Sequence, residues 1–279
     1  MMDSPRGEGL RAVSVAGYPG VAAGTNGETG KPTVLWLHGI TNTPDYCSPF
    51  LLSFAAAGYP ALALARRGRL GVPPTAARGV TFGDYLEDSL RVYDALGAPA
   101  VVLGHSQGGL LALKLAEQRR PLAVVLLAPL PPRGILAASS RLDTLPAGLS
   151  SLLVILRGGA FRPTFRQASA LFLNGVPRGQ RRRLYDAGVT DSALSLRPAY
   201  LGGVPVDPSR VRWPLLCISG GRDRTIPASS VARVARRYGG RWVNFPELGH
   251  EFCHEGGGPQ VAERIIGWLD GALGADSSS

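Results

Sequence analysis

Residues 100–110 read AVVLGHSQGGL, and this stretch decides the fold. Ala100 to Gly104 is a short apolar run of the kind buried on both faces of a parallel sheet, while Gly108 to Arg119 reads as a helix without proline. Between them the chain has only a few residues in which to turn. Gly104-His105-Ser106-Gln107-Gly108 fits the G-x-S-x-G pattern of a strand-turn-helix elbow. There the serine takes a strained backbone conformation, and its neighbours must lack side chains for strand and helix to approach. A glycine-rich turn alone would satisfy the same pattern, so the strand before it and the helix after it carry the reading.

The flanks repeat this rhythm. PTVLWLHG (Pro32–Gly39) and PALALARRG (Pro60–Gly68) predict parallel neighbouring strands, joined by a helix over Pro49–Gly58. Thr81–Gly97 predicts a helix with Thr81 as cap and Asp84 closing a capping box, and with Leu86, Leu90 and Tyr93 on one face. Ala123–Ala128 predicts a further strand. From Leu130 to Arg212 the rhythm lapses: Leu152–Leu156 is an ambiguous run, and Pro163–Leu173 and Gly179–Ala187 are helix-like. Alternation resumes with a strand at Pro214–Ser219, a helix at Ala228–Tyr238, a strand at Arg241–Phe245 and a helix at Val261–Leu273. The expectation is an α/β fold, a mostly parallel central sheet with helices on both faces. Residues 1–129 and 213–279 form its core, residues 130–212 a mostly helical cap insertion, and the tail Ala275–Ser279 frays.

Composition is consistent with this. Of 279 residues 45% are hydrophobic and 18% charged, which allows a large core and excludes collagen, coiled-coil and disordered classes. The longest apolar run, Leu51–Ala65, is broken by Ser53, Gly58 and Pro60, so no membrane span is expected. Met1–Leu10 is polar and lacks the apolar segment of a secretory signal, and Cys47, Cys217 and Cys253 lack C-x-x-C spacing. Free thiols and a cytoplasmic location follow as expectations. The formal net charge of +10 is concentrated: twelve arginines face four acids between Leu130 and Trp213.

A serine hydroxyl is a weak nucleophile at neutral pH and needs a base held by a third group. Asp223 follows the Pro214–Ser219 strand in SGGRDRTIP, and His250 follows the Arg241–Phe245 strand in FPELGH. Strand ends of this kind converge on one crevice, which gives Ser106, Asp223 and His250 as candidate catalytic residues. A surface carboxylate paired with Arg222 or Arg224, and a buried structural histidine, are the plainer readings of the last two. An oxyanion needs donors that cost no reorganisation, and the backbone N–H groups of Ile40 and Gln107 stand where such donors are required. His38 and His105 read as packing residues.

The ordered set LHG, GHSQGG, GRD and GH resembles the α/β-hydrolase superfamily over Thr33–Pro129 and Trp213–Leu273, and within it the esterase and lysophospholipase-type, monoacylglycerol lipase-like branch. The resemblance implies Ser106 as nucleophile, His250 as base, Asp223 as its partner, the Ile40 and Gln107 amides as oxyanion hole, and a cap at Leu130–Arg212. Relatives often carry RGHG after the second core strand, where this chain has Arg67-Gly68-Arg69-Leu70-Gly71. The implied activity is cleavage of carboxylic esters through an acyl-enzyme. Alternatives are a thioesterase acting on acyl-CoA or carrier-bound acyl groups, and a non-hydrolytic binding protein of the same fold.

His250-Glu251-Phe252-Cys253-His254 also fits H-E-x-x-H, but zinc chemistry needs this segment on a helix, and PELG before it and three glycines after it argue otherwise. No metal or cofactor is expected. The Arg181-Arg182-Arg183 run reads first as a solvated helix face; an anionic ester or an acidic carrier protein is the sharper alternative, and no motif supports nucleic acid. Leu152, Leu153, Phe165, Leu171 and Phe172 are candidates for an acyl-chain pocket.

Overall fold

A computed structural model describes residues 9–25, 29–69, 74–136, 153, 155, 157–200 and 203–274. The strands of the main sheet are β1 (Leu10–Val15), β2 (Tyr18–Ala23), β3 (Val34–Leu37), β4 (Ala61–Leu64), β5 (Val101–His105), β6 (Ala123–Leu127), β9 (Leu215–Gly220) and β10 (Arg241–Phe245). They lie in the order β1-β2-β4-β3-β5-β6-β9-β10. From β4 to β10 every pairing is parallel, and β1 and β2 extend one edge as antiparallel strands.

The central strands are apolar along their whole length because helices cover both faces. Val101, Val102 and Leu103 of β5 and Ala123 to Leu127 of β6 are wholly inaccessible. The covering helices are α1 (Ser48–Ala56), α2 (Phe82–Ala95), α3 (Gln107–Ala116), α7 (Ala228–Arg237) and α8 (Gly258–Gly274). Helix α2 begins with the expected capping box: Thr81 Oγ1 accepts the Asp84 N–H, and Asp84 accepts the Thr81 N–H at 2.7 Å. Its buried face differs from the expected one. Phe82, Tyr85, Ser89 and Val92 turn inward beside Tyr93, with Leu86 and Leu90 at the margin. Asp88 shares that face because it accepts from the Tyr18 hydroxyl (2.6 Å) and from the Arg67 N–H (2.9 Å).

The hairpin β1–β2 had no counterpart in the sequence expectation. Its register pairs Val15 with Tyr18, leaving the two-residue loop Ala16-Gly17, both at positive φ (51° and 83°). This is the loop that matches the twist of paired strands, but with alanine where asparagine or glycine usually signals it.

In the 130–212 segment the described residues form α4 (Phe165–Leu171), α5 (Arg178–Ala187), α6 (Ala193–Tyr200) and a two-stranded sheet of β7 (Ala160–Phe161) with β8 (Asp191–Ser192). Of the ambiguous run, Leu153 and Ile155 are helical. Leu152, the Met1–Glu8 part of the N-terminus and the tail Ala275–Ser279 lie outside the described residues. No described helix is long and apolar enough to cross a membrane.

The strand order reverses between β3 and β5, so the connections leaving their C-terminal ends diverge and open a crevice there. The loops after β3, β5, β9 and β10 carry the candidate residues.

Candidate active site

Ser106 stands between β5 and α3 at φ 55° and ψ −119°, a conformation costly for any residue with a side chain. The surrounding structure holds it there. Its N–H donates to the Leu127 carbonyl at 2.9 Å, and its own carbonyl accepts from Gly109 and Leu130. A Cβ on Gly104 would lie 2.2 Å from the Gly108 carbonyl oxygen, and one on Gly108 would lie 1.9 Å from the Leu37 carbonyl oxygen. Both glycines of the pattern are thus required by close backbone approach.

Asp223 follows β9 and His250 follows β10. His250 Nδ1 lies 2.7 Å from Asp223 Oδ2, and both side chains are buried. Asp223 Oδ1 accepts the N–H groups of Thr225 (2.7 Å) and Ile226 (2.9 Å), which fixes the carboxylate plane. Arg222 pairs with Glu247 instead of Asp223, so the surface-carboxylate reading does not describe this residue. Burial opposes charge on His250, but the Asp223 carboxylate outweighs it, and with Glu251 and Glu255 raises the imidazole to about 9. His105 Nε2 lies 2.9 Å from the His250 carbonyl oxygen. Burial first, then His250, push His105 down to about 3, so it is neutral and donates that bond.

Ser106 and His250 line one cleft with Gly39, Ile40 and Thr41 from the loop after β3. Gly39 brings that loop against the elbow: a Cβ there would lie 3.3 Å from Ser106 Cβ. Gln107 is the first residue of α3, where a backbone N–H has no acceptor within the helix. The structure therefore gathers Ser106, His250 and Ile40 around one opening, with Gln107 adjoining in sequence and Asp223 behind the histidine.

Of the four acyl-pocket candidates among the described residues, only Phe172 lines the cleft, beside Ala168, Leu173 and Leu184, which the sequence did not single out. Phe165 meets Tyr185 edge to face with ring centroids 5.4 Å apart, Leu171 packs inward, and Leu153 is exposed. The arginine run sits on α5, which has no buried residue. Arg182 pairs with Asp186, and Arg181 donates to the carbonyls of Val176 and Asn174 at 2.8 Å each. Arg162 is the arginine that borders the cleft.

Residues 250–254 do not form the α-helix that a zinc pair requires; only Phe252–His254 makes a 3-10 turn. His250 Nδ1 is engaged by Asp223, while His254 Nε2 lies 2.8 Å from the Tyr46 carbonyl oxygen. Among the described residues no group of three or more His, Cys, Asp or Glu side chains is placed to hold a metal.

Sequence reasoning missed a buried polar cluster behind the β3 loop: Arg66, Arg69, Tyr85, Asp191 and Ser195. Asp191 comes from the 130–212 segment yet is wholly buried in the core. It accepts from Arg69, from the Tyr85 hydroxyl (2.7 Å) and from the Thr41 N–H (3.0 Å). Burial opposes its charge, but Arg69 and Arg66 outweigh that and hold its carboxyl below the usual range. The one signal in the sequence was Arg69, which departs from the RGHG pattern that the resemblance leads one to expect after the second core strand.

The chain belongs to the alpha/beta hydrolase family, whose model matches residues 34–264. No curated protein matches it by sequence. Among solved structures it is similar to a monoacylglycerol lipase of Paleococcus ferrophilus (19% identity, 87% of this chain and 96% of that one, TM-score 0.65). It is likewise similar to a soluble variant of the monoglyceride lipase of Saccharomyces cerevisiae (15%, 94% of each chain, 0.67). The carboxylesterase CesB of Bacillus subtilis is a third (18%, 94% and 91%, 0.66). At these identities the likeness is one of fold.

Proposed function

We propose that this chain is a serine hydrolase that cleaves carboxylic esters through an acyl-enzyme. The observation that carries the reading is the pairing, across one cleft, of Ser106 on a strained elbow with a His250 ring whose Nδ1 is fixed by Asp223. With Nδ1 engaged, Nε2 is the ring atom left to take the serine proton. Ser106 attacks the ester carbonyl as His250 accepts that proton, and Asp223 stabilises the imidazolium. The amides of Ile40 and Gln107 receive the oxyanion, where fixed backbone donors act without reorganisation. His250 then returns the proton to the leaving alcohol, and water repeats the sequence to release the acid.

The cleft wall of Ile40, Ala168, Phe172, Leu173 and Val189 suits an apolar acyl group, and Arg162 at its border suits a substrate with a negative group nearby. The lipase and esterase neighbours support an ester over other substrates of this fold. The 130–212 segment, from which Arg162, Phe172, Leu184 and Val189 border the cleft, is read as a cap, and the proposed cycle uses no cofactor.

The test is hydrolysis of p-nitrophenyl esters from acetyl to long acyl chains by the wild type and by Ser106→Ala. Turnover that disappears with Ser106 supports the mechanism, and the best chain length measures the pocket. Turnover that survives Ser106→Ala, or none on any ester, removes this reading; in the second case the corresponding thioesters are tried next.

A further inference from the structure

We infer that Arg66 is a positioning residue that aims and polarises the oxyanion hole from behind; the inference rests on the serine-hydrolase reading above. Arg66 is buried, 6% exposed, just after β4, and its guanidinium reaches the carbonyl of the peptide that carries the Ile40 N–H and the side chain of Gln107. Nη2 donates to the Gly39 carbonyl at 2.9 Å and to the His38 carbonyl at 2.9 Å. Nη1 donates to Gln107 Oε1 at 2.9 Å.

The first contact matters because of peptide geometry. The Gly39 carbonyl and the Ile40 N–H belong to one peptide unit, which is trans, as are all described peptides of the chain. In a trans peptide C=O and N–H point in opposite directions. Holding the oxygen on a buried guanidinium therefore turns the N–H away from Arg66, and Gly39 and Ile40 border the cleft that holds Ser106. The same bond draws electron density toward the oxygen and makes the N–H a stronger donor, as linked hydrogen bonds do in a medium of low dielectric.

The second contact fixes the other donor. Gln107 is held between Arg66 and Ser195, whose Oγ accepts from Gln107 Nε2 at 2.9 Å and donates to the Ser192 carbonyl at 2.8 Å. This anchors the side chain of the residue that opens α3. The Arg66 guanidinium itself is stacked on the Tyr85 ring, 4.4 Å from its centroid. Arg69 supports the same loop by donating to the Asn42 carbonyl at 3.0 Å. Arg69 pairs with Asp191, and the Asp191 and Asp88 carboxylates both favour the charged form of Arg66 against its burial and the neighbouring Arg69 charge.

The test compares Arg66→Lys, Arg66→Gln and Arg66→Met with the wild type on a p-nitrophenyl ester, and measures inhibition by an aliphatic trifluoromethyl ketone, whose adduct with a serine carries an oxyanion. Melting curves establish that each variant is folded. Loss of a direct donor costs about 100- to 1,000-fold in kcat, so loss of its support is expected to cost about 10- to 100-fold. KM should change by less than about threefold, ketone affinity should weaken in step with kcat/KM, and lysine should recover much of what glutamine loses. If Arg66→Met does not fold, the lysine and glutamine variants decide. Unchanged kcat and ketone affinity in folded variants, or a loss confined to KM, overturns the role of Arg66. Hydrolysis that survives Ser106→Ala in parallel would remove the serine mechanism itself, a separate result.

Discussion

Arg69 and Asp191 form an ion pair with side chains 1% and 0% exposed, joining the loop after β4 to the segment that follows α5. Such a pair is costly to break from one side, because the remaining charge stays buried and unpaired. Asp191 also anchors Thr41, which sits at φ 60° in the loop after β3. Asp191→Ala is expected to lower stability by about 3–5 kcal/mol in denaturant unfolding. The double change Arg69→Met with Asp191→Leu should be much less damaging than Asp191→Ala alone. Equal losses in the two proteins would show that the pair is not what holds these segments.

The elbow glycines give a sharper contrast. With its Cβ 1.9 Å from the Leu37 carbonyl oxygen, alanine at 108 cannot be accommodated unless β3 and α3 move apart, and Gly108→Ala is expected to yield little folded protein. Gly267 lies on the exposed side of α8 with nothing within 4 Å of an added Cβ. Gly267→Ala should stabilise by about 0.5–1 kcal/mol through helix propensity. Circular dichroism melts of the two proteins check both signs. A Gly108→Ala protein that melts like the wild type would contradict the packing described for the elbow.

These elements differ in how plainly the sequence announces them. Strand β10 falls on the residues expected of it, and the Thr81 capping box forms as read, because both depend on local pattern. The elbow was legible for the same reason: its glycines are demanded within six residues of one another. Hairpin β1–β2 was not, since Ala16-Gly17 is a weak turn signal and β2, with Pro19 and Gly20, gains its order from pairing with β4. Asp191 was harder still. Nothing near it marks a buried acid; its partners Arg69 and Tyr85 are more than 100 residues away and meet it only after the sheet is assembled. The rotated face of α2 has the same origin, for Asp88 is buried by Tyr18 and Arg67 from other elements.

The raised imidazole of His250 sets a pH dependence. In the free enzyme the base must be neutral, and with its ionisation at about 9 most of it is protonated at pH 7. The prediction is that kcat/KM rises about tenfold per pH unit toward 9 and then levels. Glu251 is among the causes of the raised value, so Glu251→Gln should move the inflection to lower pH. Rate measurements with spontaneous ester hydrolysis subtracted are sufficient. A profile flat from pH 6 to 9 would mean that His250 is not the group whose ionisation limits the reaction.

The same shift links pH to stability. His250 holds its proton more tightly in the folded chain, at about 9 against an ordinary value of 6.5, so the stabilisation is complete below pH 6.5 and is lost as pH rises through 9. Glu251 adds a loss of the same sign at lower pH. Its burial, opposed by His250 and Tyr46, raises the carboxyl from 4.5 to about 7, so the folded chain again binds more protons than the unfolded one. Melting temperature is therefore expected to fall steadily from pH 6.5 to 9. Because losing His250 also releases Glu251 to titrate higher, the comparison is made in the Glu251→Gln background, where adding His250→Gln should flatten that slope between pH 7.5 and 9. A slope unchanged by the substitution would assign the loss to other groups and would remove the Asp223–His250 hydrogen bond as its source.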